Sequence, residues 1–348
     1  MSVLTQVADR LSGGRLTHRE FASRLNEFLA DGKAREGDGQ VLNNAFARSG
    51  GRWLTEASQG LRQKYPTYDF SDARDDLGLW KEPGSLEATL ATVKAQGYAI
   101  LDTKLSPERV KELSDVFAGA PCTLTSDKPT GLQPGETLAV DFANPLAEKY
   151  AVETGALIAN ATVRNMLLDR GLLEIAQRYI GSAPMVDIIT AWYSFPTDEP
   201  SHQAAQLFHF DLDRIKWLKV FFLLTDQTIE TGAHLYVPGT HRDGGIDEKI
   251  LSKGYVRLTD DEVAARHPKN TWVSMEAPAG TILLEDTRGL HKGIPVQRDH
   301  RLMLQFEYTQ CLFGEVPFLA TVDLPDVHDD YWNRMKAAYP LVFEALTR

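Results

Sequence analysis

Cysteine is nearly missing from this chain of 348 residues: Cys122 and Cys311 are the only two, and they form no CxxC pair or Cys/His cluster. That scarcity excludes zinc fingers, iron-sulfur ligation and a disulfide framework, and it suits a reducing cytoplasm. Long apolar runs are missing as well. Charge arrives at Asp9 and Arg10 in the opening MSVLTQVADRLSGGRLTHRE, and no stretch approaches the ~20 apolar residues that a membrane span needs. Neither export nor membrane insertion is expected. Positive charge is in deficit, with 37 Lys and Arg against 48 Asp and Glu and a net charge of -11. Phosphate backbones and anionic lipid surfaces are therefore poor partners, and a small-molecule ligand is the better expectation. No internal repeat or low-complexity tract occurs, and 43% hydrophobic with 24% charged residues is the composition of an ordinary globular protein.

Two regions differ in pattern. Residues 1–85 read as a helical extension packed on a core: Thr17-His18-Arg19-Glu20 has the form of a capping box, and Phe21, Leu25, Phe28 and Leu29 follow at helical spacing before Asp31-Gly32 breaks the pattern. Residues 86–348 read as one catalytic domain. A strand is predicted over 97–102 and a helix opening at Ser106-Pro107. A long loop over the site mouth is predicted for 119–145, followed by a helix over about 157–180. Short β-rich segments then follow at 185–195, 206–211, 218–225, 235–237, 271–275, 281–285 and 302–308, separated by turn formers such as Pro238-Gly239 and Pro278-Ala279-Gly280. This is the pattern of a mainly β protein with flanking helices and a double-stranded β-helix, a cupin-like jelly roll, at its centre. Tyr331, Trp332, Met335 and Tyr339 belong to a closing helix.

The residues that carry chemistry lie in His209-Phe210-Asp211 and, 80 residues on, His291. Side chains two apart on a strand point the same way, so His209 and Asp211 can share a metal while Phe210 turns into the opposite packing layer. His291 follows the apolar strand over 281–285 and can arrive from the facing wall. Two imidazoles and one carboxylate hold non-haem Fe(II) on one triangular face and leave the opposite positions open for a co-substrate and dioxygen. Arg301 opens the last strand, where a guanidinium can form paired charge-assisted bonds to the far carboxylate of a 2-oxo dicarboxylic acid. Arg298 is the alternative, in a more polar turn. Lys219, Arg288 and Lys292 are expected around the mouth, favouring an anionic or heavily hydroxylated substrate. His234 and His241, beside the Pro238-Gly239 turn, are expected to make structural hydrogen bonds.

The run HFDLDRIKWLKVFFLLTDQTIETGAHLYVPGTHR, joined to GTILLEDTRGLHKGIPVQRDHRLMLQFEY, resembles the phytanoyl-CoA dioxygenase family of Fe(II)/2-oxoglutarate oxygenases over about residues 90–312. The resemblance implies that His209, Asp211 and His291 bind Fe(II), that Arg301 holds 2-oxoglutarate, and that O2 is the oxidant. Many relatives place the arginine eleven residues after the second histidine and a serine two residues after it; here the gap is ten and the position is Gly293. Gln206 and Lys219 are the candidates for the missing co-substrate hydrogen bond. Family halogenases carry Ala or Gly where this chain has Asp211, so the resemblance implies hydroxylation of an unactivated C–H in a sugar derivative or secondary-metabolite intermediate, with release of succinate and CO2. Desaturation, cyclisation or epimerisation would start from the same hydrogen abstraction. A non-catalytic cupin-like metal-binding protein is the reading from another class.

Overall fold

The computed structural model describes residues 16–82, 84–126, 130–133, 136–196, 205–322 and 324–346. A seven-stranded sheet runs in the spatial order β1 (Tyr98–Lys104), β8 (Thr281–Glu285), β5 (Trp217–Leu223), β10 (Arg301–Thr309), β4 (Met185–Ser194), β3 (Lys149–Val152) and β2 (Cys122–Thr125). A three-stranded sheet runs β7 (Val273–Met275), β6 (His234–Tyr236) and β9 (His291–Gly293). All paired strands are antiparallel. The result is the expected jelly-roll core with flanking helices.

β5, β8 and β10 are buried along their whole length, which is why WLKVFFL and TILLE read as continuous apolar runs without alternation. The polar residues inside those runs mark the interior site. On β10, Arg301, Met303, Gln305 and Glu307 share one face. Register sets Ser194, Trp192 and Thr190 of β4 opposite the first three of these, and Phe221 and Lys219 of β5 opposite Gln305 and Glu307. Leu304, Phe306 and Tyr308 turn to the other side, where the Tyr308 hydroxyl donates to the Leu167 carbonyl at 2.7 Å.

The helix His18–Asp31 starts with the expected capping box at Thr17 and Glu20 and stops at Gly32, whose φ of 71° suits glycine. Phe21 and Phe28 from this helix meet Phe313 edge-on, with ring centroids 6.3 and 5.7 Å apart. Phe46, in the helix Asp38–Ser49, lies 5.5 Å from Phe210. Phe210 therefore turns away from His209 and Asp211 into a packing layer, as the strand argument requires.

Three expectations change. The helix predicted over 157–180 is three helices, Thr154–Ala159, Ala161–Leu167 and Arg170–Ile180. Asn160 and Asp169 interrupt it, because their side chains accept from the backbone N–H of Val163 at 3.0 Å and of Leu172 at 3.2 Å and so start new helices. The region predicted as one loop contains β2, which pairs with β3 and bridges Leu138 at Cys122. Residues 206–211 form isolated bridges at Phe208 and His209, not a continuous strand. His202 lies outside the described residues. Cys122 and Cys311 are both buried and not joined in a disulfide, and among the described residues no helix is long and apolar enough to cross a membrane.

Candidate metal centre

His209 and His291 face each other across an antiparallel bridge and exchange both backbone bonds, at 3.0 and 2.9 Å. That reciprocal pairing sets the two rings 4.2 Å apart. Asp211 is tied by its own N–H to the Thr287 carbonyl at 2.7 Å, in the turn that leads to His291. Its carboxylate lies 3.8 Å from Nε2 of His209 and 3.6 Å from Nε2 of His291. The three ligand atoms are all within 4.8 Å of one another, close enough to share one ion.

The ring orientations follow from local backbone. Nδ1 of His209 is 2.9 Å from the Leu207 carbonyl, and Nδ1 of His291 is 2.9 Å from the Gly289 carbonyl. A carbonyl only accepts, so each ring donates from Nδ1 and keeps a bare Nε2 lone pair turned toward Asp211. Burial depresses the pKa of both histidines, His209 strongly, which favours the neutral ring that a metal needs. Burial alone would raise the Asp211 carboxyl, but the Lys219 ammonium at 2.7 Å, with the two imidazoles, outweighs it and keeps Asp211 ionised.

Lys219, expected beside the co-substrate, therefore sits on Asp211, with Asp213 at 2.9 Å and Glu307 at 3.5 Å. Gln206 is buried and is not part of the cavity wall. Arg301 is 3% exposed and lines the cavity. Its Nη1 donates to the Gly232 carbonyl and its Nη2 to Ser194 Oγ at 3.1 Å, while Nε has no partner. No carboxylate pairs with it among the described residues, and burial pulls its pKa down to about 10. Arg298 is instead exposed and paired with Glu230 at 2.6 Å.

Gly293 has a steric role here. A Cβ at that position would stand 2.9 Å from Arg301 Nη1, so the missing side chain makes room for the guanidinium. Ser194, which faces Arg301 across the β4–β10 pairing, places a hydroxyl against the guanidinium. Sequence reasoning missed Ser194 because strand neighbours more than a hundred residues apart leave no local signal. It also missed Lys149 and Arg257, which line the same cavity of about 260 Å³ with Thr190, Trp192 and Gln305. The Lys149 ammonium lies 5.0 Å over the Trp192 ring. Arg288 and Lys292, expected at the mouth, are instead bound to Asp286 and Asp260.

His234 also lines the cavity, stacked 5.4 Å from His291 and paired with the buried Glu285 at 3.0 Å. These three make a second group compact enough for an ion. Its geometry is the weaker one, since the His234 Nε2 that would ligate is already engaged by Glu285. The trio with Asp211 keeps both imidazole lone pairs directed at one carboxylate.

The sequence model of the phytanoyl-CoA dioxygenase family matches residues 93–301, more than half of the chain. No curated protein matches. Among solved structures, the epimerase SnoN from nogalamycin biosynthesis, in complex with Fe3+, alpha ketoglutarate and nogalamycin RO, is 18% identical. It covers 72% of this chain and 93% of its own, with a TM-score of 0.49. EctD from S. alaskensis with bound Fe is 18% identical over 70% of this chain and 86% of its own, TM-score 0.46. HygX from Streptomyces hygroscopicus, with nickel, 2-oxoglutarate and hygromycin B bound, is 15% identical over 66% and 88%, TM-score 0.43.

Proposed function

This chain belongs to the phytanoyl-CoA dioxygenase family, and on that premise we propose that it is an Fe(II)/2-oxoglutarate-dependent dioxygenase that hydroxylates an unactivated C–H bond of a small polar metabolite, releasing succinate and CO2. The observation that carries the reading is the pairing of two features in one cavity: a buried guanidinium with no anion of its own among the described residues, and a His-Asp-His trio with both Nε2 atoms bare. A metal alone does not call for Arg301. A metal that also binds a dicarboxylate does.

His209, Asp211 and His291 hold the iron, which when bound supplies the activation of dioxygen. Arg301 takes the distal carboxylate of 2-oxoglutarate through its unpaired donors, with the Ser194 hydroxyl as the neighbouring bond. Lys219 keeps Asp211 ionised and oriented rather than touching the co-substrate. Trp192, Phe221 and Met303 form the apolar part of the wall and exclude water from the reacting region. The intact Asp211 leaves no ligand position vacant for a halide, which supports transfer of oxygen. A cytoplasmic location belongs to the same proposal, supported by two cysteines that are not joined in a disulfide.

The test is direct. Anaerobic addition of Fe(II) and then 2-oxoglutarate should produce the weak visible charge-transfer band of a chelated 2-oxo acid. Asp211→Ala should abolish succinate release. A folded wild-type protein that gives no band would end this reading.

A further inference from the structure

We infer that Arg257 anchors an oxyanion of the substrate, so that the molecule oxidised in this cavity carries a carboxylate, phosphate or sulfate group near the carbon that reacts. The inference rests on the Fe(II)/2-oxoglutarate reading of the site and names a substrate class that the reading leaves open.

The position of Arg257 follows from the backbone. Phe208 and Leu258 exchange N–H···O bonds at 3.0 and 2.8 Å, which lays the segment around Leu258 antiparallel to the one that carries the metal ligands. One residue along that register, Arg257 falls opposite His209. His209 is thus flanked by His291 on one side and by Arg257 on the other. Arg257 lines the cavity with the ligands. It belongs to the connection between β6 and β7, outside the jelly-roll strands, and connections of that kind vary without disturbing the scaffold.

Every other cation in the cavity is engaged. Lys219 lies between Asp211 and Asp213. Lys149 has the Trp192 ring beneath its ammonium. Arg301 is held by Gly232 and Ser194 and, in the proposed function, by the co-substrate. Arg257 makes no ion pair, ring contact or hydrogen bond among the described residues, and its Nη1 is buried without an acceptor. A buried donor left unpaired is unfavourable, and a ligand that brings an acceptor relieves it. The two carboxylates of 2-oxoglutarate already meet the iron and Arg301. The forked donor set of Arg257 is left for a third oxyanion, which only the substrate brings.

The experiment uses full-length protein loaded with Ni(II), which does not turn over, and saturated with 2-oxoglutarate. Sulfate is the probe, because it ligates metals weakly; it would be titrated calorimetrically at constant ionic strength. Wild-type protein should bind one sulfate, and Arg257→Gln should weaken that binding roughly tenfold or more while leaving 2-oxoglutarate affinity within about twofold. Arg257→Lys, which keeps the charge and loses the fork, should fall between. Wild-type protein that takes up no sulfate, or Arg257→Gln protein that binds it equally well, would overturn the inference. So would a loss of 2-oxoglutarate affinity in Arg257→Gln, since Arg257 would then belong to the co-substrate. If Arg257→Gln does not fold, the wild-type and Arg257→Lys titrations decide. Failure of the underlying function is separately visible as the absent Fe(II)/2-oxoglutarate band.

Discussion

At the scale of single residues, Lys219 shows how a buried charge is made useful. Its ammonium is held charged because burial, which would neutralise it, is outweighed by Asp211, Asp213 and Glu307. In return it holds Asp211 well below the usual carboxylate range. In the metal-free protein a depressed carboxylate contributes stability above its unfolded pKa of about 4, and that stability is lost as pH falls through the folded value. Lys219→Met removes the opposing charge, so the Asp211 pKa rises and the proton competes with metal at higher pH. Fe(II) affinity at neutral pH should drop about 10- to 100-fold, with its acid limb displaced toward neutrality. Metal titrations of both proteins between pH 5 and 8 check this; superimposable curves would mean that Lys219 has no such part.

At the scale of elements, the pairing of β4 with β10 brings a hydroxyl to the buried guanidinium. Ser194 and Arg301 are neighbours only because these strands lie side by side in that register. Ser194→Ala should raise KM for 2-oxoglutarate about ten- to a hundredfold, the worth of one hydrogen bond to a charged group, with kcat nearly unchanged. Gly293→Ser, which looks like a return to the family pattern, should weaken 2-oxoglutarate binding further, because its Cβ would crowd the guanidinium. Steady-state kinetics with varied 2-oxoglutarate separates the two effects.

For the whole molecule, the relevant contacts join distant parts of the chain. Phe46 from the N-terminal helices packs on Phe210, the residue between His209 and Asp211. Phe46→Ala should cost about 3–5 kcal/mol of stability and should loosen the backbone that fixes His209 and Asp211. Thermal unfolding would show a fall in Tm, and Fe(II) affinity should fall with it. Unchanged metal affinity in a destabilised variant would mean that the helices support the fold alone. The charge distribution has the same long-range character: a chain of net charge -11 encloses a cavity whose wall carries Lys149, Lys219, Arg257 and Arg301 around one carboxylate. A cationic pocket in an acidic body selects small anions and repels polyanions.

The sequence by itself determined the fold class, the closing and opening helices, and the His209, Asp211 and His291 trio, because these are written in local periodicity, in spacing two apart on a strand, and in side-chain chemistry. Arg301 was legible for the same reason, as a charge opening an apolar strand. Tertiary structure alone decided that Lys219 pairs with the Asp211 carboxylate, that the Ser194 hydroxyl lies on Arg301, and that Arg257 and Lys149 face the cavity while Arg288 and Lys292 do not. Each of those depends on which strands lie together and in what register, and strand pairing joins residues far apart in sequence whose side chains carry no mark of the partner they will meet.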